Sequence, residues 1–115
     1  MGLGDKQRVF AKNQGLLIQW AYSHGYELTG GQWLRAASEA AANAAAGTGI
    51  ANSLHLKSLA MDWNLFISGV YQPDSEAHRP LGEYWKSLDP LNRWGGDFNP
   101  KPDGNHYSME HEGVK

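Results

Sequence analysis

Between Asp5 and His24, apolar residues stand at Val9, Phe10, Leu17, Trp20 and Ala21 among charged and amide side chains. That spacing lays them along one face of a helix, and Gly25 is placed to cap its end. Tyr26-Glu27-Leu28 is a short strand candidate, closed by a turn at Thr29-Gly30-Gly31. From Trp33 to Ala46 the chain is rich in alanine and poor in breakers, which predicts a helix ending at Gly47-Thr48-Gly49. The period then changes. Leu59, Met61, Trp63 and Leu65 alternate with Ala60, Asp62 and Asn64, as on a strand with one apolar and one polar face. Gly69 to Arg79 reads as a loop. Pro80 suits the first turn of a helix that holds Tyr84, Trp85 and Leu88 and stops at Asp89-Pro90. Asn92 to Asn105, with its glycines and prolines, predicts an ordered loop, and His106 to His111 a last strand. The fold class expected is α+β: helices packed against a small antiparallel sheet, in one domain spanning residues 1–115 without internal repeats.

Composition narrows the chemistry. At 115 residues the core is real but small, so a bound metal would add appreciably to stability. A net charge of −2 gives no basic footprint for nucleic acid. The chain has no cysteine, which excludes thiolate-ligated zinc and disulfides alike. Met1 to Lys12 is polar and charged, and no apolar run suits a signal peptide or a membrane span. The expectation is synthesis in the cytoplasm, with no membrane insertion.

Two short segments carry the candidate chemistry: Ser53-Leu54-His55-x6-Asp62 and Asp103-Gly104-Asn105-His106. Two imidazoles and one carboxylate are a set that zinc accepts, leaving a fourth position for water; manganese or cobalt would also be tolerated. Asp62 lies on the polar face of its strand, so that face would carry the metal, with His106 coming from a neighbouring strand. Asp103, just before the last His, is placed to act as general base. The bland alternative is a polar sheet face and a Pro-Asp-Gly turn; His-x6-Asp alone is a weak signal.

The same residues resemble a known group. Ser53-Leu-His55-Leu-Lys-Ser58-Leu-Ala60-Met-Asp62 is similar to the Ser-x-His-x-x-Gly-x-Ala-x-Asp motif of the zinc D,D- and L,D-peptidases that cleave bacterial cell-wall peptides. Asp103-Gly-Asn-His106-Tyr107 resembles their second motif, and Arg93-Trp94-Gly95-Gly96-Asp97-Phe98 looks like the Trp-Gly-Gly-Asp segment of phage L-alanyl-D-glutamate endolysins. The resemblance spans roughly residues 22 to 111. Ser58 replaces the motif glycine, and Ser108 stands where many members carry Glu.

The resemblance implies Zn2+ held by His55, Asp62 and His106, with Asp103 as catalytic base. It implies that Ser53 contacts substrate or steadies its loop, and that Arg35 anchors a substrate carboxylate through its planar fork. A solvated Arg35 is the competing reading. The implied substrate is the peptidoglycan stem peptide, cleaved by a monomer between L-Ala and D-Glu after another factor delivers the enzyme to the wall. A D,D-carboxypeptidase removing terminal D-Ala is the second reading, and a catalytically silent phage wall-binding module the third. His111 is left out of the ligand set, because it points away from His106 on a strand. His24 and His78 read as surface residues. Trp94 either lines the cleft or fills the core, and Asp97 either binds a cation or caps a turn.

Overall fold

The computed structural model describes residues 1–33 and 53–115. The predicted alanine-rich helix and Arg35 lie outside the described residues. Helix α1 runs Leu3–Ser23 and buries Phe10, Leu17 and Ala21 on one face, as the spacing requires. Gly25 follows at φ +85, the left-handed conformation that ends helices at little cost for glycine. Strand β1 is Tyr26–Gly30. It pairs antiparallel with β2, Ala60–Ile67, from Tyr26↔Ile67 to Gly30↔Trp63. Thr29 and Gly30 are therefore strand residues rather than the predicted turn, because the β2 edge continues to offer them partners.

The segment expected to be one loop, residues 69–79, is more structured. β3, Val70–Tyr71, folds back on the end of β2 in a hairpin. A 3₁₀ turn over Ser75–His78 then leads into helix α2, Arg79–Leu88, with Pro80 in its first turn. The predicted loop of residues 92–105 also contains β4, Asn92–Trp94, and a 3₁₀ turn at Gly95–Asp97. β5 is His106–Met109, shorter than the expected span to His111. Its ladders to β2 and β4 end at Ser108 and Met109. Beyond them Glu110 donates its amide to Leu91, and His111 closes a separate bridge with Val114. The sheet order is β1-β2-β5-β4, with β3 on β2, and every pairing among the described residues is antiparallel.

Helices α1 and α2 contribute to one apolar core. Phe10 meets Trp85 edge to face, with ring centroids 5.5 Å apart. Trp85 donates its indole N–H to the carbonyls of Arg93 and Ser108, each at 3.0 Å, which ties α2 to β4 and β5. From the sheet come Met61, Leu65, Tyr107 and Met109. Because strand side chains alternate, burying Met61 and Leu65 turns Asp62 and Asn64 to the opposite face. Burying Tyr107 and Met109 does the same for His106 and Ser108. The core thus decides which residues face the site.

Ser58, at the motif glycine position, has φ 53 and ψ 39, the left-handed region. A β-carbon there costs roughly 1–2 kcal/mol. Ser58→Gly relieves that strain but loosens the unfolded chain, an opposing effect of about 0.4–1 kcal/mol. A net gain of about 0.5–1 kcal/mol is expected, or roughly 3–6 °C in Tm. Calorimetry of the two proteins checks it; an unchanged or lower Tm contradicts it.

Candidate metal centre

His55 sits in a 3₁₀ turn, Leu54–Lys57, capped by Ser53: the Ser53 hydroxyl accepts from the His55 N–H at 3.2 Å. Ser53 therefore steadies the loop, one of its two expected roles. The turn leads directly into β2 and Asp62. Asp62 and His106 are then cross-strand partners in the β2–β5 ladder, which sets their side chains on one face. The three residues converge. His55 Nε2 is 3.4 Å and His106 Nδ1 is 3.5 Å from the same Asp62 oxygen, Oδ1. The two imidazoles meet at 69° with ring centroids 5.6 Å apart. Among the described residues, this is the group of His and acidic side chains close enough to hold one metal ion.

The spacing suits a metal. Zinc bonds of about 2.0–2.2 Å at tetrahedral angles put neighbouring ligand atoms roughly 3.3–3.5 Å apart. The separations are also too long for good hydrogen bonds, and Asp62 Oδ1 is buried with no hydrogen-bond partner among the described residues. An oxygen so placed lacks what burial normally demands, and a cation among the three atoms would supply it. The far side of His55 is set as well. Its Nδ1 lies 3.0 Å from the Trp33 carbonyl. A carbonyl accepts only from N–H, so this contact puts the proton on Nδ1 and leaves the Nε2 lone pair aimed at the cluster. Sequence reading missed the Trp33 role, since a backbone carbonyl leaves no signature.

Burial pushes the Asp62 carboxyl up, but the attraction of His106 and His55 beside it prevails and holds it at about 2. It is a carboxylate at neutral pH. Asp103 stands beside the cluster, within electrostatic reach of His106, Asp62 and His55. It keeps one side open to solvent while the protein packed on the other side pushes its carboxyl up; His106 and His55 oppose that shift and Asp62 adds to it. Its carbonyl accepts the His106 amide at 3.1 Å. Asp103 thus opens the turn that its Pro-Asp-Gly sequence predicts. Next to it opens a cavity of about 220 Å³ whose walls include Asn64, Ser75, His78 and Asp103.

Trp94 belongs to the core, 1 % exposed, so it does not line the cleft through its ring face. Asp97 binds side-chain cations: Lys86 at 2.6 Å and Arg79 at 4.0 Å. His111 is away from the cluster, 3.1 Å from the Lys6 ammonium. His24 is exposed and stacks on Trp20. His78 corrects the surface expectation: it is 3 % exposed, and its Nδ1 lies 2.7 Å from the Tyr107 hydroxyl. The Ser75–His78 turn carries it inward, a tertiary effect with no sequence mark.

Burial pushes the His78 imidazole down to about 4 from 6.5. Between those values the unfolded chain binds more protons than the folded one, so stability falls as pH drops from about 6.5 toward 4 and returns above that window. The full effect is on the order of 3 kcal/mol. His78→Gln should flatten that part of the slope, measured as the wild-type minus variant difference in urea midpoints at pH 7 and pH 5. Parallel curves would contradict it.

The family described as D-alanyl-D-alanine carboxypeptidase matches residues 46–109, more than half of the chain. This protein belongs to that peptidase family. The matched span contains His55, Asp62, Asp103 and His106. Among curated proteins, none matches the chain. Among solved structures, the family member resembles the Serratia marcescens L-Ala D-Glu endopeptidase ChiX, at 18 % identity and a TM-score of 0.72. That likeness covers 93 % of this chain and 85 % of the other, and it shows a shared fold.

Proposed function

We propose that this chain is a zinc-dependent peptidoglycan peptidase of the phage-endolysin kind, cleaving the L-Ala–D-Glu bond of stem peptides. The observation that carries the reading is the convergence of His55 Nε2, Asp62 Oδ1 and His106 Nδ1 on one point, with Asp103 alongside. His55, Asp62 and His106 would hold the ion. A zinc ion in such a site supplies Lewis acidity, polarising the scissile carbonyl and bringing the pKa of its water to about 7. The Trp33 carbonyl keeps the His55 tautomer in the ligating form. Asp62, ionised throughout, offsets part of the ion's charge. Asp103 takes the proton of the attacking water and passes it to the leaving amine nitrogen. A pure wall-binding module needs no such base.

The endopeptidase reading is supported by the Trp94-Gly95-Gly96-Asp97 segment and by the fold shared with an L-Ala D-Glu endopeptidase. The family's description favours a second reading, a D,D-carboxypeptidase. Digestion of purified wall, with mass spectrometry of the new termini, separates them. A free Ala carboxyl with a free Glu amine means endopeptidase. Released D-Ala means carboxypeptidase. No product in the presence of zinc overturns both.

Arg35 enters this reading as the anchor of a substrate carboxylate. Arg35→Lys keeps the charge and loses the bidentate fork, so kcat/KM should fall roughly tenfold to hundredfold, in line with about 1.5–3 kcal/mol for a charge-assisted hydrogen bond. Wild-type turnover in Arg35→Ala ends the anchor role.

A further inference from the structure

The Trp94-Gly95-Gly96 segment is not accounted for by the metal cluster or by the steps above. Its atoms meet the backbone on both sides of Asp103. The Asp103 amide donates to the Gly95 carbonyl at 2.8 Å. The Gly104 carbonyl accepts the Trp94 indole N–H at 2.7 Å. The Gly104 amide donates to the Ser75 hydroxyl at 2.9 Å. The peptide units flanking Asp103 are thus held from two separate elements, β4 with its following turn and the Ser75–His78 turn. None of these bonds uses the Asp103 carboxylate, which stays available for a proton.

The clamp is itself rigid. The Trp94 ring lies between Gly82 of α2 and Gly96, and a β-carbon on either would overlap it. A β-carbon on Gly95 would overlap the Asp103 carbonyl. The Arg79 guanidinium lies over the ring, 4.9 Å from its centroid. The two glycines after Trp94 are therefore packing requirements: Gly95 lets the Asp103 turn approach, and Gly96 lets the indole lie flat and point its N–H at Gly104.

We propose that Trp94, Gly95 and Ser75 are positioning residues that fix the backbone of Asp103 so that its carboxylate faces the candidate metal centre. The inference rests on Asp103 being the base. A displacement of about 1 Å at a reacting group can cost on the order of a hundredfold in rate, so a clamp with one of its three bonds removed should act on kcat. Ser75 is the cleanest probe, because it is partly exposed outside the core and Ser75→Ala deletes one acceptor only.

The test compares zinc-loaded wild type, Ser75→Ala, Asp103→Asn and the double variant on a wall peptide, with amide exchange at Gly104 followed by NMR. Ser75→Ala should lower kcat about five- to twentyfold, leave KM and zinc content within about twofold, and speed Gly104 amide exchange at least tenfold. In the Asp103→Asn background the same change should lower the residual rate less than twofold, because a residue acting through Asp103 has nothing left to act through. Trp94→Phe, which keeps a ring and loses the N–H, should repeat the kcat pattern; if it fails to fold, Ser75→Ala still decides. An unchanged kcat in Ser75→Ala overturns the proposal, as does an equal loss in both backgrounds or an unchanged Gly104 exchange rate. If wild type cleaves no wall peptide, the function proposed above falls, and the Gly104 exchange rates still decide whether the clamp exists.

Discussion

His106→Ala is expected to abolish zinc binding and peptide hydrolysis together while leaving the fold in place. His106 Nδ1 is one of three converging ligand atoms, and its removal leaves only His55 and Asp62. Two ligands with open water positions do not hold zinc as three preorganised ones do. Zinc content should fall from one per chain to near zero, and turnover by more than about a thousandfold, since the chemistry in this reading depends on the ion. The fold should survive. His106 Nε2 is buried without a hydrogen-bond partner among the described residues, so truncation breaks no bond there. Its main structural cost is the packing of the ring beside Phe98, 5.6 Å between centroids. A second readout avoids activity altogether. Zinc at a hundred times its Kd should stabilise the wild type by about 2.7 kcal/mol, and this zinc-dependent rise in Tm should vanish in the variant. Full zinc content and full activity in His106→Ala would mean that the centre is assigned wrongly.

Asp103→Asn is expected to separate chemistry from binding. The side chain keeps its size, and the backbone contacts of residues 103 and 104 do not involve the carboxylate, so fold and zinc content should match wild type. What is lost is the proton acceptor. General-base help is worth about 10² to 10⁴ in rate, and kcat should fall within that range with KM little changed. Zinc stoichiometry is the deciding control. If the metal leaves together with the carboxylate, Asp103 is a ligand and another group must take the proton.

His55, His106 and Asp103 were legible through short motifs, and the sheet face of Asp62 was legible because strand periodicity is local. Alternation through Leu59–Leu65 puts Asp62 on the polar face whatever the rest of the chain does, and the ladder partner of Asp62 is His106. The α+β class, α1, β2 and the start of α2 followed from the same short-range patterns. Other boundaries moved for reasons that lie in distant segments. β1 extends through Gly30 because β2 offers it partners. β5 stops at Met109 because its neighbours end there. The predicted loops of residues 69–79 and 92–105 hold β3, β4 and two 3₁₀ turns, which form only against β2, β5 and α2.

By itself, then, the sequence determined which residue types could ligate and on which strand face Asp62 would stand, because side-chain chemistry and a two-residue period are properties of the local chain. The tertiary structure alone decided what those residues meet. It carried His78 into the interior against Tyr107, placed the Trp33 carbonyl behind His55, made Trp94 a core residue with its N–H on Gly104, and brought Ser75 to the Asp103 turn. These contacts join residues 10 to 29 positions apart, several through backbone atoms that every residue carries. Only the packing of helices, sheet and turns into one core selects them.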